Sequence, residues 1–271
     1  RRGFRAIEFA IMALVGVIAL AFVFEVFLAK PDPANVALGL APSIPNASAL
    51  YVAIGILGAT VMPHSVYLHP YIVQDRRNRL IAESGDTENV HRRHFRYESI
   101  DTVLALFGAM FVNAAMLVVA AAALTGTGID TLEEAYVTLA GVFGANASLA
   151  FGIALIAAGL SSSLVATMAG QTVMDGFLDW NVSVWVRRSV TLVPSLAVVV
   201  AGFDPTSVLV ASQVALSFEL PFVLIPLLYF TREEGLMGSF VNRTSTTSVL
   251  GLVVALIVAL NGWLLYTTLF G

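Results

Sequence analysis

Seven runs of the chain are apolar and long enough to cross a bilayer: residues 7–29, 49–73, 102–124, 148–173, 186–202, 207–230 and 248–270. A spanning helix needs about 20 such residues. Each run therefore predicts a membrane helix. The fifth is the shortest and contains Pro194. Charged residues collect between the runs.

The second run departs from the pattern. It reads Gly58-Ala59-Thr60-Val61-Met62-Pro63-His64-Ser65-Val66-Tyr67-Leu68-His69-Pro70. Pro63 has no N–H, and its ring clashes with the preceding turn, which predicts a helix break just before it. Residue 62 is pushed out of helical geometry as well. Broken backbone at membrane depth is tolerated only where protein buries it or where it lines a cavity. Free carbonyls are cation ligands, and discontinuous helices build many transporter sites. The other runs read as scaffold around this break.

The charges between the runs predict an orientation. Of 14 basic residues, all but Lys30 fall on one side: Arg1, Arg2 and Arg5; Arg76, Arg77, Arg79, Arg92, Arg93 and Arg96; Arg187 and Arg188; Arg232 and Arg243. The positive-inside rule makes that side cytoplasmic, with the N-terminus inside and the C-terminus external. An odd number of spans requires the same. Residues 74–98 are expected to form a solvated cytoplasmic loop that can meet anionic lipid. Its acids (Asp75, Glu83, Asp86, Glu88) argue against nucleic acid as a partner.

Composition narrows the class. The chain is 58% hydrophobic and 12% charged, with mean hydropathy +0.86. That is about half the charge of an ordinary soluble domain. The fold class is an all-α polytopic membrane protein. There is no cysteine, which excludes disulfides, iron–sulfur clusters and zinc–thiolate sites.

Few residues can carry chemistry. Met62 offers a thioether, which favours softer transition metals over Ca²⁺ and Mg²⁺. Combined with carbonyl and carboxylate oxygens, it would suit Mn²⁺, Fe²⁺, Co²⁺ or Cd²⁺. The plainer reading of an intramembrane methionine is apolar packing. His64 titrates near physiological pH, and an ionisable group within a span is a functional candidate. It could relay a proton, bind metal, or only bond a neighbouring helix. Gln213 is deep enough to face a cavity. Glu219 precedes Pro221, where another kink is expected. Asn113 and Asn261 read as interhelical hydrogen bonds. Arg187 and Arg188 stand at a helix entry, as snorkelling groups or as a proton exit. Gly152, Gly159, Ser161, Ser162, Ser163 and Gly170 suggest close helix packing. An intramembrane enzyme is not expected. His64 and Ser65 point about 100° apart on a helix, and no hydrolase or zincin motif occurs. No cofactor is expected.

The Met-Pro-His stretch resembles the sixth-helix signature of the NRAMP family of proton-coupled divalent metal transporters, close to its bacterial manganese branch. Ala169-Gly170-Gln171-Thr172-Val173-Met174-Asp175-Gly176-Phe177 resembles the family motif between its eighth and ninth helices. Arg5 to Glu8, the pair Arg187-Arg188 and Gln213 resemble further family positions. The resemblance implies a LeuT-type inverted-repeat fold, with seven transmembrane helices here and a discontinuous second one. Residues 1–29 would be the last helix of the first repeat, 49–230 the second repeat of five helices, and 248–270 an additional C-terminal helix. It further implies that Ala59 gives a backbone carbonyl and Met62 its sulfur to the metal. Gln213 would join when the site closes. His64, Arg187 and Arg188 would serve the proton route, and Pro63 the helix break. The implied activity is import of Mn²⁺ and similar metals across the cytoplasmic membrane, the metal being substrate.

The family's first-helix Asp-Pro-Gly-Asn motif is absent. Half a metal site is therefore expected here, with four helices preceding Arg1 in the intact protein. Two alternatives keep the fold: a non-transporting NRAMP-like signalling domain, and a transporter of an organic substrate. The Met-Pro-His stretch argues against both.

Overall fold

A computed structural model describes residues 2–41, 43–85, 87–129, 131–177 and 183–270. Among them the chain forms helices and no strand. Six helical stretches are long and apolar enough to cross a membrane. The expected fifth run is a helix too, Val184–Val200, but its 17 residues stand at the lower limit for a span.

The chain divides into two compact units, Arg1–Pro42 with Pro70–Leu192, and Ser43–His69 with Val193–Gly271. In the first unit, α1 (Arg2–Ala29) packs on α7 (Ala145–Phe177) and on α5 (Glu88–Leu124). Its apolar centre is Val119, Ala123 and Leu139, with Val26, Phe143 and Phe151 against them. The proline-rich segment after α1 is a short helix, α2 (Pro33–Gly39). Asp32 caps it by accepting from the Ala34 N–H at 3.0 Å, and Pro33 opens it.

Residues 74–98 are not a loop. α4 (Pro63–Ser84) runs on as helix, and α5 begins at Glu88. Only the short turn at Gly85 (φ +80°) and the Thr87 cap intervene among the described residues. The charges that suggested a loop hold these helix ends together. Glu88 pairs with Arg92 one turn on at 2.8 Å, and Arg76 of α4 reaches Glu98 of α5 at 3.1 Å.

A helix that the apolar pattern did not reveal, α6 (Leu132–Phe143), precedes α7. The Thr131 hydroxyl accepts from the Glu134 N–H at 3.3 Å, and Ala135 and Leu139 face inward. Gly144 (φ +90°) alone separates α6 from α7. Of the small residues in α7, Gly152 is closely packed: a Cβ there would meet Tyr136 Cε2 at 3.3 Å. At Gly159 a Cβ would meet nothing within 4 Å, so close packing there is not found.

The second unit is built on α3 (Ala47–Thr60), α9 (Pro205–Phe230) and α11 (Thr244–Phe270). Two apolar clusters join them. Leu50 and Ile54 of α3 meet Val214 of α9 and Leu264 of α11. Leu220 and Leu224 of α9 meet Val254 and Ile257 of α11, with Leu57 and Val61 against them. Asn46 caps α3 through the Ala49 N–H at 2.8 Å, and Asp204 caps α9 through Thr206 and Ser207. α8 (Val184–Val200) begins in the first unit and ends in the second. A short helix, α10 (Glu234–Met237), lies between α9 and α11.

Candidate functional site

The break falls where the proline chemistry places it. α3 ends at Thr60, Val61 and Met62 leave helical form, and α4 starts on Pro63. Val61 has φ −106° and ψ 78°, and its N–H still reaches the Leu57 carbonyl at 2.9 Å. The next turn re-forms from Met62, whose carbonyl accepts from the Ser65 N–H at 3.0 Å. The carbonyl that a residue-63 amide would have bonded is Ala59's. Proline offers it no donor, and among the described residues no other protein group donates to it. Thr60 turns its hydroxyl back to the Ile56 carbonyl at 2.8 Å.

Glycines bring this end of α3 against α9. A Cβ on Gly55 would touch Val214 and Val210 at 3.4 and 3.5 Å. At Gly58 it would run into the Gln213 carbonyl and lie 2.9 Å from the Ser217 nitrogen. The α3 backbone therefore rests directly on the α9 turn that carries Gln213, one residue before Ala59. Pro63 is buried, Met62, His64 and Gln213 are half-buried, and Ala59 is exposed. The Gln213 amide donates to the Ser212 hydroxyl at 3.3 Å, which donates to the Leu209 carbonyl at 2.7 Å. Glu219, the acid of α9 six residues beyond Gln213, is exposed.

α9 is not broken at its own prolines. It continues through Pro221 and Pro226 to Phe230. Pro221 deprives the Ser217 carbonyl of its helical donor. Asn261 of α11 replaces that donor through Nδ2 at 3.1 Å, and the Ser217 hydroxyl donates to Asn261 Oδ1 at 3.3 Å. Both residues are buried. Asn261 thus makes the interhelical bond expected of it, while Asn113 is exposed.

Ala59, Met62, Pro63, His64 and Gln213 all belong to the second unit. Arg187 and Arg188 lie in α8, in the first unit, with side chains outside the described residues. So are the side chains of Gln171, Asp175 and Phe177 at the end of α7, where Ala169 and Thr172 are buried. Glu25, a buried acid in α1, was not singled out by the sequence pattern. Its signal was a lone charge in an apolar run.

The donors near the break are a carbonyl, a thioether and an amide, all neutral. Among the described residues no group of three or more His, Asp or Glu could hold a metal ion. The set fits a soft-leaning divalent cation in ligand type and carries no balancing negative charge.

Residues 1–267 match the family model described as natural resistance-associated macrophage protein-like, Nramp. The chain is 46% identical over 273 residues to the divalent metal cation transporter MntH of Caldanaerobacter subterraneus subsp. tengcongensis, covering 99% of this chain and 63% of that protein. It is 45% identical over 276 residues to the protein of the same name from Chromohalobacter salexigens, again covering 63% of it. The chain therefore spans somewhat under two thirds of the length of these relatives. Among solved structures, it resembles a crystal structure of a mutant manganese transporter from Eremococcus coleocola. The TM-score is 0.77 at 28% identity, covering 96% of this chain and 59% of that one. The likeness gives the helices the LeuT-type arrangement expected from the resemblance and makes the chain integral to a membrane. With the match running through both the Met-Pro-His break and Gln213, the chain belongs to the Nramp family.

Proposed function

We propose that this chain forms part of a proton-coupled secondary transporter. It imports Mn²⁺, Fe²⁺, Co²⁺ or Cd²⁺ across the cytoplasmic membrane by alternating access. One observation carries the reading: among the described residues no protein group donates to the Ala59 carbonyl, at a helix break that sits on the Gln213 turn of α9. A carbonyl freed at membrane depth suits a cation, and Met62 beside it favours a transition metal over Ca²⁺. Gln213 joins the ligands when the site closes. His64, Arg187 and Arg188 serve the proton route.

Residues 1–29 are read as the last helix of one repeat, 49–230 as the second repeat, and 248–270 as an added helix. The N-terminus of the chain faces the cytoplasm and the C-terminus the exterior. A neutral ligand set does not hold a divalent ion strongly. A carboxylate from outside this chain therefore completes the site, and the greater length of the relatives is consistent with a segment that supplies it.

Uptake by proteoliposomes tests the reading. Mn²⁺ entry should require the preceding helices of the relatives in addition to this chain. Uptake by this chain alone would overturn the shared site. In the complete transporter, Met62→Ala should relax exclusion of Ca²⁺ more than it lowers Mn²⁺ uptake. Unchanged selectivity would remove the thioether from the site.

A further inference from the structure

The apolar run of α1 conceals an acid. Glu25 is 0% exposed, and among the described residues neither carboxyl oxygen has a hydrogen-bond partner. It lies three residues from buried Phe22, on the same helix face. The helices packed on α1 are α7 and α5. Neither brings a counter-charge: residues 102–124 of α5 and 145–174 of α7 contain no Asp, Glu, His, Lys or Arg. α6 reaches the cluster that Val26 joins, but its Glu133, Glu134 and Tyr136 are exposed. On α1 itself, Arg2, Arg5 and Glu8 lie about 25 Å or more upstream by helical rise. Lys30 is exposed beyond the last turn.

An ionised carboxylate that is buried without a partner is strongly disfavoured. A bound metal ion would need several ligands at once, and none of the described residues form such a group. A proton needs a single carboxyl oxygen. We propose that Glu25 is a proton-binding site inside the first compact unit, filled at neutral pH so that the side chain is a neutral carboxylic acid. The helix-break residues belong to the other unit, and the proposal does not rest on the metal reading.

Infrared difference spectra of the full-length protein in lipid read this state directly. Wild type should show, at neutral pH, the C=O stretch of a protonated carboxyl free of strong hydrogen bonds. That band should be absent from E25Q and should persist at a shifted frequency in E25D. Glutamine mimics the neutral acid, so E25Q should melt at the wild-type temperature at neutral pH. An ionised-carboxylate band that E25Q removes, or a lowered melting temperature in E25Q, would overturn the proposal by showing a charged, paired Glu25. Should E25Q fail to fold, wild type and E25D decide between them: no protonated band that shifts with E25D overturns it equally.

Discussion

Pro63 and Pro221 remove the same atom from helices of one compact unit, with opposite results. At Pro221 the orphaned oxygen is Ser217's. Asn261 supplies a donor at 3.1 Å, and α9 stays continuous. At Pro63 the orphaned oxygen is Ala59's. No protein group among the described residues donates to it, and the chain leaves helical form for Val61 and Met62. Proline alone does not determine a break. At Pro221 a neighbouring helix has a polar group placed to replace the lost donor. α9 at Pro226 and α4 at Pro70 run on with no such replacement among the described residues, so continuity does not rest on replacement alone. An oxygen left unsatisfied in an apolar setting is available for a ligand, and one already bonded is not.

The substitution expected to disturb this comparison most is Gly58→Ala, which pushes the two helices apart. The added Cβ meets one turn of α9 backbone, at the Gln213 carbonyl and at the Ser217 nitrogen 2.9 Å away. Backbone cannot rotate aside as a side chain can. A cost of about 3 kcal/mol or more is expected, at the upper end for overpacking, with uptake lost alongside. Thermal unfolding of the variant checks it, and an unaltered midpoint would mean that the helices do not touch there.

Pro63→Ala erases one side of the comparison. It returns an N–H within reach of the Ala59 carbonyl and removes a helix-breaking penalty of about 3 kcal/mol. The variant should keep its fold and lose metal uptake. An amide at residue 63 of the variant that exchanges far more slowly than an unfolded-chain amide would report the new bond. Uptake at the wild-type rate would show that the free carbonyl is not needed.

Asn261→Leu attacks the other side. It leaves the Ser217 carbonyl and hydroxyl buried without their partner, a loss of about 2 kcal/mol. Denaturant titration in mixed micelles would measure it. If the Ser217 carbonyl is held by Asn261 alone, α9 should also loosen at Ser217–Pro221.

The smallest effect is expected at the start of α9. Hydrogen bonds from the Ser207 hydroxyl and N–H, and from the Thr206 N–H, hold the Asp204 carboxyl below the usual carboxylate range. Its stabilising contribution is therefore full above the ordinary carboxylate value. It fades as pH falls through the lowered one. Asp204→Ala should lower the melting temperature slightly at neutral pH, and the deficit should shrink in acid. A deficit independent of pH would remove the charge from the cap.

The break was legible in the sequence because proline acts locally. Its missing N–H and its ring are fixed wherever it stands, and Pro63 ended α3 within two residues of expectation. Pro221 shows the limit of the same reasoning. The donor that rescued α9 lies 44 residues away on α11, a distance that no local rule crosses. α6 was hidden for another reason. Its Thr131–Glu134 cap and its inward Ala135 and Leu139 were readable, but a scan for long apolar runs passes over a 12-residue helix. The 74–98 stretch misled because polarity marks contact with water, and a helix held by Glu88–Arg92 and Arg76–Glu98 can stand in water as well as a loop. Of the candidate ligands, the sequence named Met62 and Gln213. It could not show that Gly58 is what brings α3 onto the Gln213 turn.

Gly58 has a consequence for how such a chain can vary. Every single-nucleotide change in a glycine codon that alters the encoded residue without ending translation adds at least a Cβ. Here that atom meets the main chain of a neighbouring helix. The position therefore has no neutral neighbour in the genetic code. A lineage can leave it only after Gln213 and Ser217 have first been moved away, so departures from glycine at position 58 should mark descendants whose α9 no longer rests on α3.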